Sequence, residues 1–441
     1  MNEMAAGEYG AAGEALAQRT VRKLAWRLLP FMGVLYFVAF LDRVNVGFAA
    51  LTMNADLGLS ARVYGFGAGI FFLGYVLFEV PSNLMLHRFG ARRWIARIMI
   101  SWGLLSAAMV LTTGPLTFYV LRFLLGVAEA GFFPGMILYL TYWFPAAVRA
   151  RITGAFMIAI PVSSVIGAPL STALLDLDAL DLRGWQWLFI LEGLPAVLLG
   201  FVVLARLDDR PDRAAWLTAD EKAWIRNVLA GEAAVARRDV GVRGALLDAR
   251  VWTLGVIYFG LVIGLYGLGF WLPQIVAELG GLSHLQVGLL TALPAAIAAV
   301  AMYLWGRHSD VTQERVWHVA WPALIGSAGL AASAYLVEAP LLAFAALTVG
   351  AVGIYATLPV FWTLPTALLT GAAGAGAIAL VNSIGNTGGY VGPAVMGYIK
   401  DTTGEHTGGL LVLAGALLMA AALVVATRRS PGQGASPPSG P

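Results

Sequence analysis

The 441-residue chain has no cysteine, so it carries no disulfide and no thiolate metal site. Charge is scarce as well. Asp, Glu, Lys and Arg together make up 12% of the residues, about half the share of an ordinary soluble domain. The five histidines, His87, His284, His308, His318 and His406, fall in loops or at the ends of apolar runs with no metal-ligand spacing. The glycine-rich stretch from Gly371 to Gly376 follows no strand, and no Walker motif is present, so nucleotide binding and ATP-driven work are not indicated. The longest polar stretch, 208–250, leaves no room for a sizeable soluble domain. Together with the missing nucleophile motif, this argues against a membrane-embedded enzyme or receptor.

What the chain does have is hydrophobic length: 59% of its residues are hydrophobic and its mean hydropathy is +0.78. Runs of about 20 apolar residues can cross a ~30 Å hydrocarbon layer. Twelve are read here, at 26–51, 64–86, 94–111, 117–140, 152–174, 187–207, 252–276, 287–305, 317–337, 341–362, 372–399 and 409–426. The alternation of a β-barrel is absent, and helices satisfy their own backbone groups in lipid, so an all-α integral membrane protein is predicted. Six runs on each side of the polar stretch suggest a duplicated architecture. The expected organisation is a cytoplasmic N-terminal segment (1–25), a six-helix bundle (26–207), a cytoplasmic linker (208–250), a second six-helix bundle (251–427) and a disordered cytoplasmic tail (428–441).

The N-terminal segment has neither a short apolar core nor a small-residue cleavage site, so it is not read as a signal peptide. Arg62, Arg183 and Lys400 fall on one side of the membrane and Arg43 and Arg122 inside apolar runs; the rest of the 28 Lys and Arg lie on the side of the N-terminus. That asymmetry predicts cytoplasmic termini in the inner membrane and accounts for the net charge of +3 without nucleic acid. Within the linker, Thr218 and Glu221 have the spacing of a capping box; the segment reads as a solvated linker helix, the alternative being a short surface helix that turns Trp216, Trp224, Ile225 and Leu229 to the bilayer.

Ionisable residues inside spans cost about 2.5–3.5 kcal/mol each on insertion scales and by default mark function. Here they are Asp42 and Arg43 in the first run, Glu79 in the second, Arg122 and Glu129 in the fourth and Glu192 in the sixth, all in the first half. Arg122 and Glu129 are two helical turns apart, about 10 Å, and project from one face. The expected arrangement pairs Asp42 with Arg122 and Arg43 with Glu129, so that no buried charge stands alone. Arginine's planar fork suits a carboxylate substrate, and protonation of Asp42 or Glu129 supplies the coupled charge. Glu79 and Glu192 read as structural, Glu79 as partner of a loop Arg or a helix end, and Tyr75 as a cavity-lining candidate. In the second half, Asn382 and Asn386 stack on one helical face and offer donors and acceptors without charge.

Several stretches carry a family resemblance. Gly306-Arg-His-Ser-Asp310 with Arg315, and His87-Arg88-Phe-Gly90-Ala-Arg92, resemble two copies of the GxxxDRxGRR gating loop of the major facilitator superfamily, the N-terminal copy with His87 in place of Asp. Leu41-Asp-Arg-Val-Asn45, Phe78-Glu-Val-Pro-Ser-Asn83, Arg122 through Pro134, Trp187 through Gly193 and Asn382 through Pro393 resemble its anion:cation symporter family. The resemblance implies twelve helices in two pseudo-symmetric bundles and proton-coupled symport of a small organic carboxylate such as tartrate, a sugar acid or an aromatic acid. It places Arg43 and Arg122 on the anion and Asp42 and Glu129 on the proton, with no cofactor beyond the proton gradient and a monomer as the working unit. A proton-independent exchanger or facilitator of the same fold is the alternative.

Overall fold

The structure, a computed structural model, describes residues 11–236, 248–368 and 371–428. The first ten residues, the middle of the linker and the tail beyond Arg428 lie outside the described residues. The described chain forms sixteen α-helices: α1 (Ala11–Asp56), α2 (Ala61–Phe89), α3 (Ala91–Ala108), α4 (Pro115–Glu129), α5 (Phe132–Trp143), α6 (Ala146–Met157), α7 (Ala159–Leu174), α8 (Gly184–Arg206), α9 (Ala219–Ala236), α10 (Ala249–Ala277), α11 (His284–Thr312), α12 (Val316–Tyr335), α13 (Pro340–Phe361), α14 (Thr363–Leu368), α15 (Gly371–Thr403) and α16 (Thr407–Arg428).

Two of the twelve expected spans are broken. The fourth is α4 plus α5 and the fifth α6 plus α7, while the tenth is α13, followed by the short α14. The break after Glu129 is made by Gly131, whose φ of 85° lies in the left-handed region, where a side chain is strained. A Cβ there would also run into Ser82 of α2. Ten stretches among the described residues are apolar and long enough to cross a membrane. The other two spans, α12 and α15, fall short because they carry Trp, His and Pro or Gly and Asn. Both are packed among apolar helices, α15 between α2 and α10, and α12 between α13 and α16.

The two halves meet through α2 against α15, α7 against α11 and α1 against α10. Near one end of the first seam the backbones approach closely: Gly65 faces Pro393 and Gly397, and Gly69 faces Tyr390. On the same end of the molecule, Tyr64 donates to the Phe270 carbonyl at 2.8 Å, and His284 meets Asp176 at 2.6 Å. The end away from the linker is therefore sealed between the halves.

The linker differs from expectation in its orientation. Its capping box forms: the Thr218 N–H donates to Glu221 Oε2 at 2.9 Å, and the Glu221 N–H to Thr218 Oγ1 at 3.3 Å. Ile225 is buried, however, and Trp216 stacks on Trp143 at 5.6 Å, so these apolar residues face the helical bundle rather than lipid. Lys23 reaches Glu221 at 2.8 Å and Arg149 reaches Glu232 at 3.1 Å. The N-terminal segment is also helical from Ala11 and runs into the first span without a break.

The two gating motifs are mostly helix. Arg88 ends α2, where its guanidinium lies 5.6 Å from the Phe89 ring, and Gly306 and Asp310 sit inside α11, so only Gly90 and the short stretch from Gln313 to Arg315 act as connectors. Gly90, with φ 87°, makes the first turn. The anion missing at His87 is supplied from elsewhere: Asp209, at the start of the linker, accepts the Arg92 N–H at 2.8 Å, and the Arg92 Nε donates to the Leu204 carbonyl. In the second copy Arg315 donates to Asp310 at 2.7 Å and to Ser309 at 2.8 Å.

Candidate functional site

Neighbouring residues on a helix point about 100° apart, and Asp42 and Arg43 of α1 accordingly enter different surroundings. Arg43 turns toward α4 and the second half. Its Nε and Nη2 both donate to Glu129 Oε1, the former at 3.0 Å, and its Nη1 donates to the Tyr266 hydroxyl of α10 at 2.9 Å. The guanidinium lies 5.3 Å from the Tyr75 ring and 5.6 Å from Phe71, both on α2, within cation–π range. Arg43, Glu129, Tyr75 and Tyr266 are all buried.

Arg122 is fully buried on the same face of α4. Its Nη2 donates to the Ala68 carbonyl at 3.0 Å, its Nε to the Gly67 carbonyl at 3.4 Å, and its guanidinium lies 5.1 Å from Phe71. Its Nη1 has no hydrogen-bond partner. Phe71 thus touches both guanidinium groups.

Asp42 does not pair with Arg122, contrary to the sequence expectation. It faces α3, where Trp102 Nε1 donates to it at 2.7 Å and the Ser106 hydroxyl at 2.8 Å; the Asn45 amide adds a bond at 3.3 Å. The reason is the helical offset from Arg43: the face that turns Arg43 to α4 turns Asp42 to α3. The charge balance changes with it. Around Phe71 stand two guanidinium groups and one carboxylate, Glu129, with the Glu79 carboxylate farther along α2. Asp42 sits apart among neutral donors.

Glu79 meets neither a loop arginine nor a helix end. It accepts from the Asn382 amide, and from the Ser383 hydroxyl at 3.2 Å, both on α15. Asn382 is thus joined to the Glu79 carboxylate, one turn along α2 from Tyr75, and Asn386 is buried one turn farther along α15. A cavity of about 50 Å³ borders the cluster, lined by Val44 and Phe48 of α1, Tyr266 of α10 and Tyr355 of α13 among others. It has room for a few waters.

Arg43, Glu129, Arg122 and Tyr75 are therefore brought together, with Asn382 held nearby through Glu79. The sequence reading missed Tyr266, Trp102 and Ser106. Tyr266 could have been flagged as the one hydroxyl inside the glycine-rich stretch from Gly260 to Gly269. Trp102 and Ser106 are of types common in any span and carried no such signal.

The chain matches the family model described as Major Facilitator Superfamily over residues 32–393. It is 52% identical over 425 residues to a protein of Agrobacterium vitis named "Putative tartrate transporter", covering 96% of this chain and 94% of that one. It is 43% identical to the "Quinolone resistance transporter" of Acinetobacter baumannii, covering 89% and 91%. Among solved structures, a bacterial homologue of the human lysosomal transporter Spinster, inward-facing and occupied, superposes with a TM-score of 0.73 at 18% identity, covering 91% of this chain and 96% of that one. The twelve-span all-α fold is the fold of this group, and the chain, a multi-pass membrane transporter and not an enzyme, belongs to the major facilitator superfamily.

Proposed function

We propose that the protein is a secondary transporter that carries a small organic carboxylate inward with protons by alternating access. The observation that carries this reading is the buried Arg122, whose Nη1 lacks an acceptor. A substrate carboxylate supplies that acceptor, and Arg–carboxylate bonds are among the stronger polar contacts. Glu129 occupies the Arg43 fork when no substrate is present. Protonating Glu129 frees that fork, so proton and anion arrive together and leave together. Tyr75, Asn382 and Asn386 supply neutral contacts that choose among anions. The naming of the Agrobacterium vitis relative favours a hydroxy-dicarboxylate such as tartrate.

In this reading residues 26–207 and 251–427 rock against each other, 208–250 is the linker between them, and the protein works as a monomer in the plasma membrane with the proton gradient as its only energy source. The linker and both termini lie in the cytoplasm. The cysteine-free chain makes this orientation testable. On intact cells a membrane-impermeant maleimide is expected to label Thr113→Cys and to leave Asp212→Cys unlabelled.

Thermal unfolding of the purified protein against tartrate, a sugar acid, an aromatic carboxylate and a fluoroquinolone tests the substrate class. A ligand at a hundred times its Kd adds about 2.7 kcal/mol of apparent stability. Stabilisation by carboxylates that is lost in Arg122→Gln is the expected result; stabilisation by the quinolone alone overturns the proposal. Uptake that survives collapse of the proton gradient identifies the exchanger or facilitator instead.

A further inference from the structure

Glu192 of α8 is buried, and the anion site around Phe71 makes no use of it. One carboxyl oxygen accepts from the Ser171 hydroxyl of α7 at 2.6 Å; the other, Oε2, has no partner. Asn45, fully buried on α1, stands against Glu192 on one side and donates to Asp42 on the other. Its own carbonyl oxygen, Oδ1, is also without a donor. Each of these two neighbouring side chains thus keeps one orphaned acceptor in an apolar interior, where an unsatisfied group carries a full desolvation cost.

The charges around this pocket offer no remedy. Among the described residues no Lys, Arg or His forms an ion pair with Asp42 or Glu192. From α1 come Asp42 and Arg43, the latter turned away to Tyr266 and to Glu129, the α4 carboxyl that also faces Asp42 electrostatically. From α3 come only the neutral donors Trp102 and Ser106, and from α7 Ser171. An amide has one donor end and one acceptor end. Placed between two carboxyl groups, it can satisfy both only if one of them is protonated. With the NH2 toward Asp42, the proton belongs on Glu192 and donates to Asn45 Oδ1. With the amide flipped, the NH2 donates to Glu192 and the proton belongs on Asp42. Oxygen and nitrogen of an amide are assigned from such networks, and both assignments require one proton.

We propose that Asp42, Asn45 and Glu192 form a one-proton carrier in which Glu192 is the second proton-holding carboxyl, linked to Asp42 by rotation of the Asn45 amide. A single buried proton replaces the missing cation, and moving it costs one amide flip rather than the exposure of a charge. The role of this pair in transport rests on the symport reading above; the shared proton does not.

Two measurements on the full-length protein in liposomes separate these claims. The first is infrared spectroscopy of the protonated-carboxyl C=O stretch at neutral pH, which needs no substrate. Glu192→Gln, an isosteric change whose amide donates to Asn45 as the protonated acid would, is expected to delete one protonated-carboxyl band. Asn45→Ala is expected to shift that band, giving a second readout should Glu192→Gln fold poorly. Loss of no band in Glu192→Gln together with no shift in Asn45→Ala overturns the proposal. The second is uptake of labelled tartrate with and without an inward proton gradient. Gradient-driven accumulation in the wild type that collapses to equilibration in Glu192→Gln places the pair in coupling; undiminished gradient-driven accumulation in that variant overturns this role. If the band is lost in Glu192→Gln but wild-type uptake ignores the gradient, the symport reading fails while the shared proton stands.

Discussion

Deleting the Arg43 side chain would leave Glu129 buried without its cation, and breaking a buried pair by removing one partner costs about 3–5 kcal/mol. Transport lost in Arg43→Ala would therefore mix folding with binding. Arg43→Lys is the cleaner probe. Lysine keeps the charge near Glu129 but presents a point ammonium instead of the fork that serves Glu129 and Tyr266 together. Loss of one charge-assisted hydrogen bond, roughly 1.5–3 kcal/mol, corresponds to about a ten- to hundredfold weaker carboxylate affinity. The expected result is that weakening, read by ligand-induced thermal shift, with the ligand-free unfolding temperature little changed; undiminished affinity would remove Arg43 from the anion site. Glu129→Gln tests the other side of the pair. It removes the competitor for the Arg43 fork together with the titrating group, so accumulation against a gradient is expected to cease while counterflow continues. Proton-driven accumulation at the wild-type level would refute the assignment.

At the scale of elements, the turn at Gly131 sets the position of Glu129, because α4 ends at that residue. Gly131→Val forces a β-branched residue into the left-handed region, at about 1–2 kcal/mol, and drives its Cβ into Ser82 of α2. Both lower stability and move the last turn of α4. The expected readouts are a lower unfolding temperature and weaker carboxylate binding, and a normal pair of values would show that the break is incidental to the site. This element also shows why some of the site was legible and some was not. Arg122 and Glu129 could be placed on one face because seven residues make two turns, and Arg43 follows from that face. Asp42 could not be placed, since its partners Trp102 and Ser106 have no charge to advertise them. His87 likewise looked like a lost anion, because Asp209 is distant in sequence and only the turn at Gly90 brings the two together.

A second element-level feature ties three helices of the second half. Glu278, after α10, is held by Lys400 of α15 at 2.8 Å and by His406, just before α16, at 3.2 Å. Burial pushes the Glu278 carboxyl up, but His406 and Lys400 outweigh it and hold the group down at about 2. A depressed folded value means the stabilisation is fully present above the ordinary carboxylate range and is lost as pH falls toward about 2. Glu278 is half-exposed, so solvent screening limits its contribution to about 0.5–1 kcal/mol. Glu278→Gln is accordingly expected to lower the unfolding temperature slightly at neutral pH, with the difference from wild type shrinking as the solution is acidified. A difference that stays constant with pH would assign the effect to packing.

For the whole molecule, the sealed end includes a stretch of close backbone contact between α2 and α15, and this makes the closed state sensitive to single methyl groups. Gly397 of α15 faces Ala61 and Gly65 of α2, so a Cβ at 397 has no space unless the helices separate. Small residues at such seams are what allow membrane helices to approach closely. Closely packed interfaces respond to a wedge by switching arrangement more readily than by deforming continuously. Gly397→Val is therefore expected to shift the population toward a state open at the end away from the linker, while leaving the Arg43 and Glu129 pair in place within the first half. The absence of native cysteine supplies the measurement. Val44→Cys places one thiol in the cavity beside Tyr266. In an otherwise unaltered chain it is expected to resist a membrane-impermeant maleimide applied from outside the cell, and adding Gly397→Val is expected to raise its labelling severalfold. Equal labelling in both backgrounds would mean that the glycine seam does not hold the closed state, and that Tyr64, His284 and Asp176 carry the seal instead.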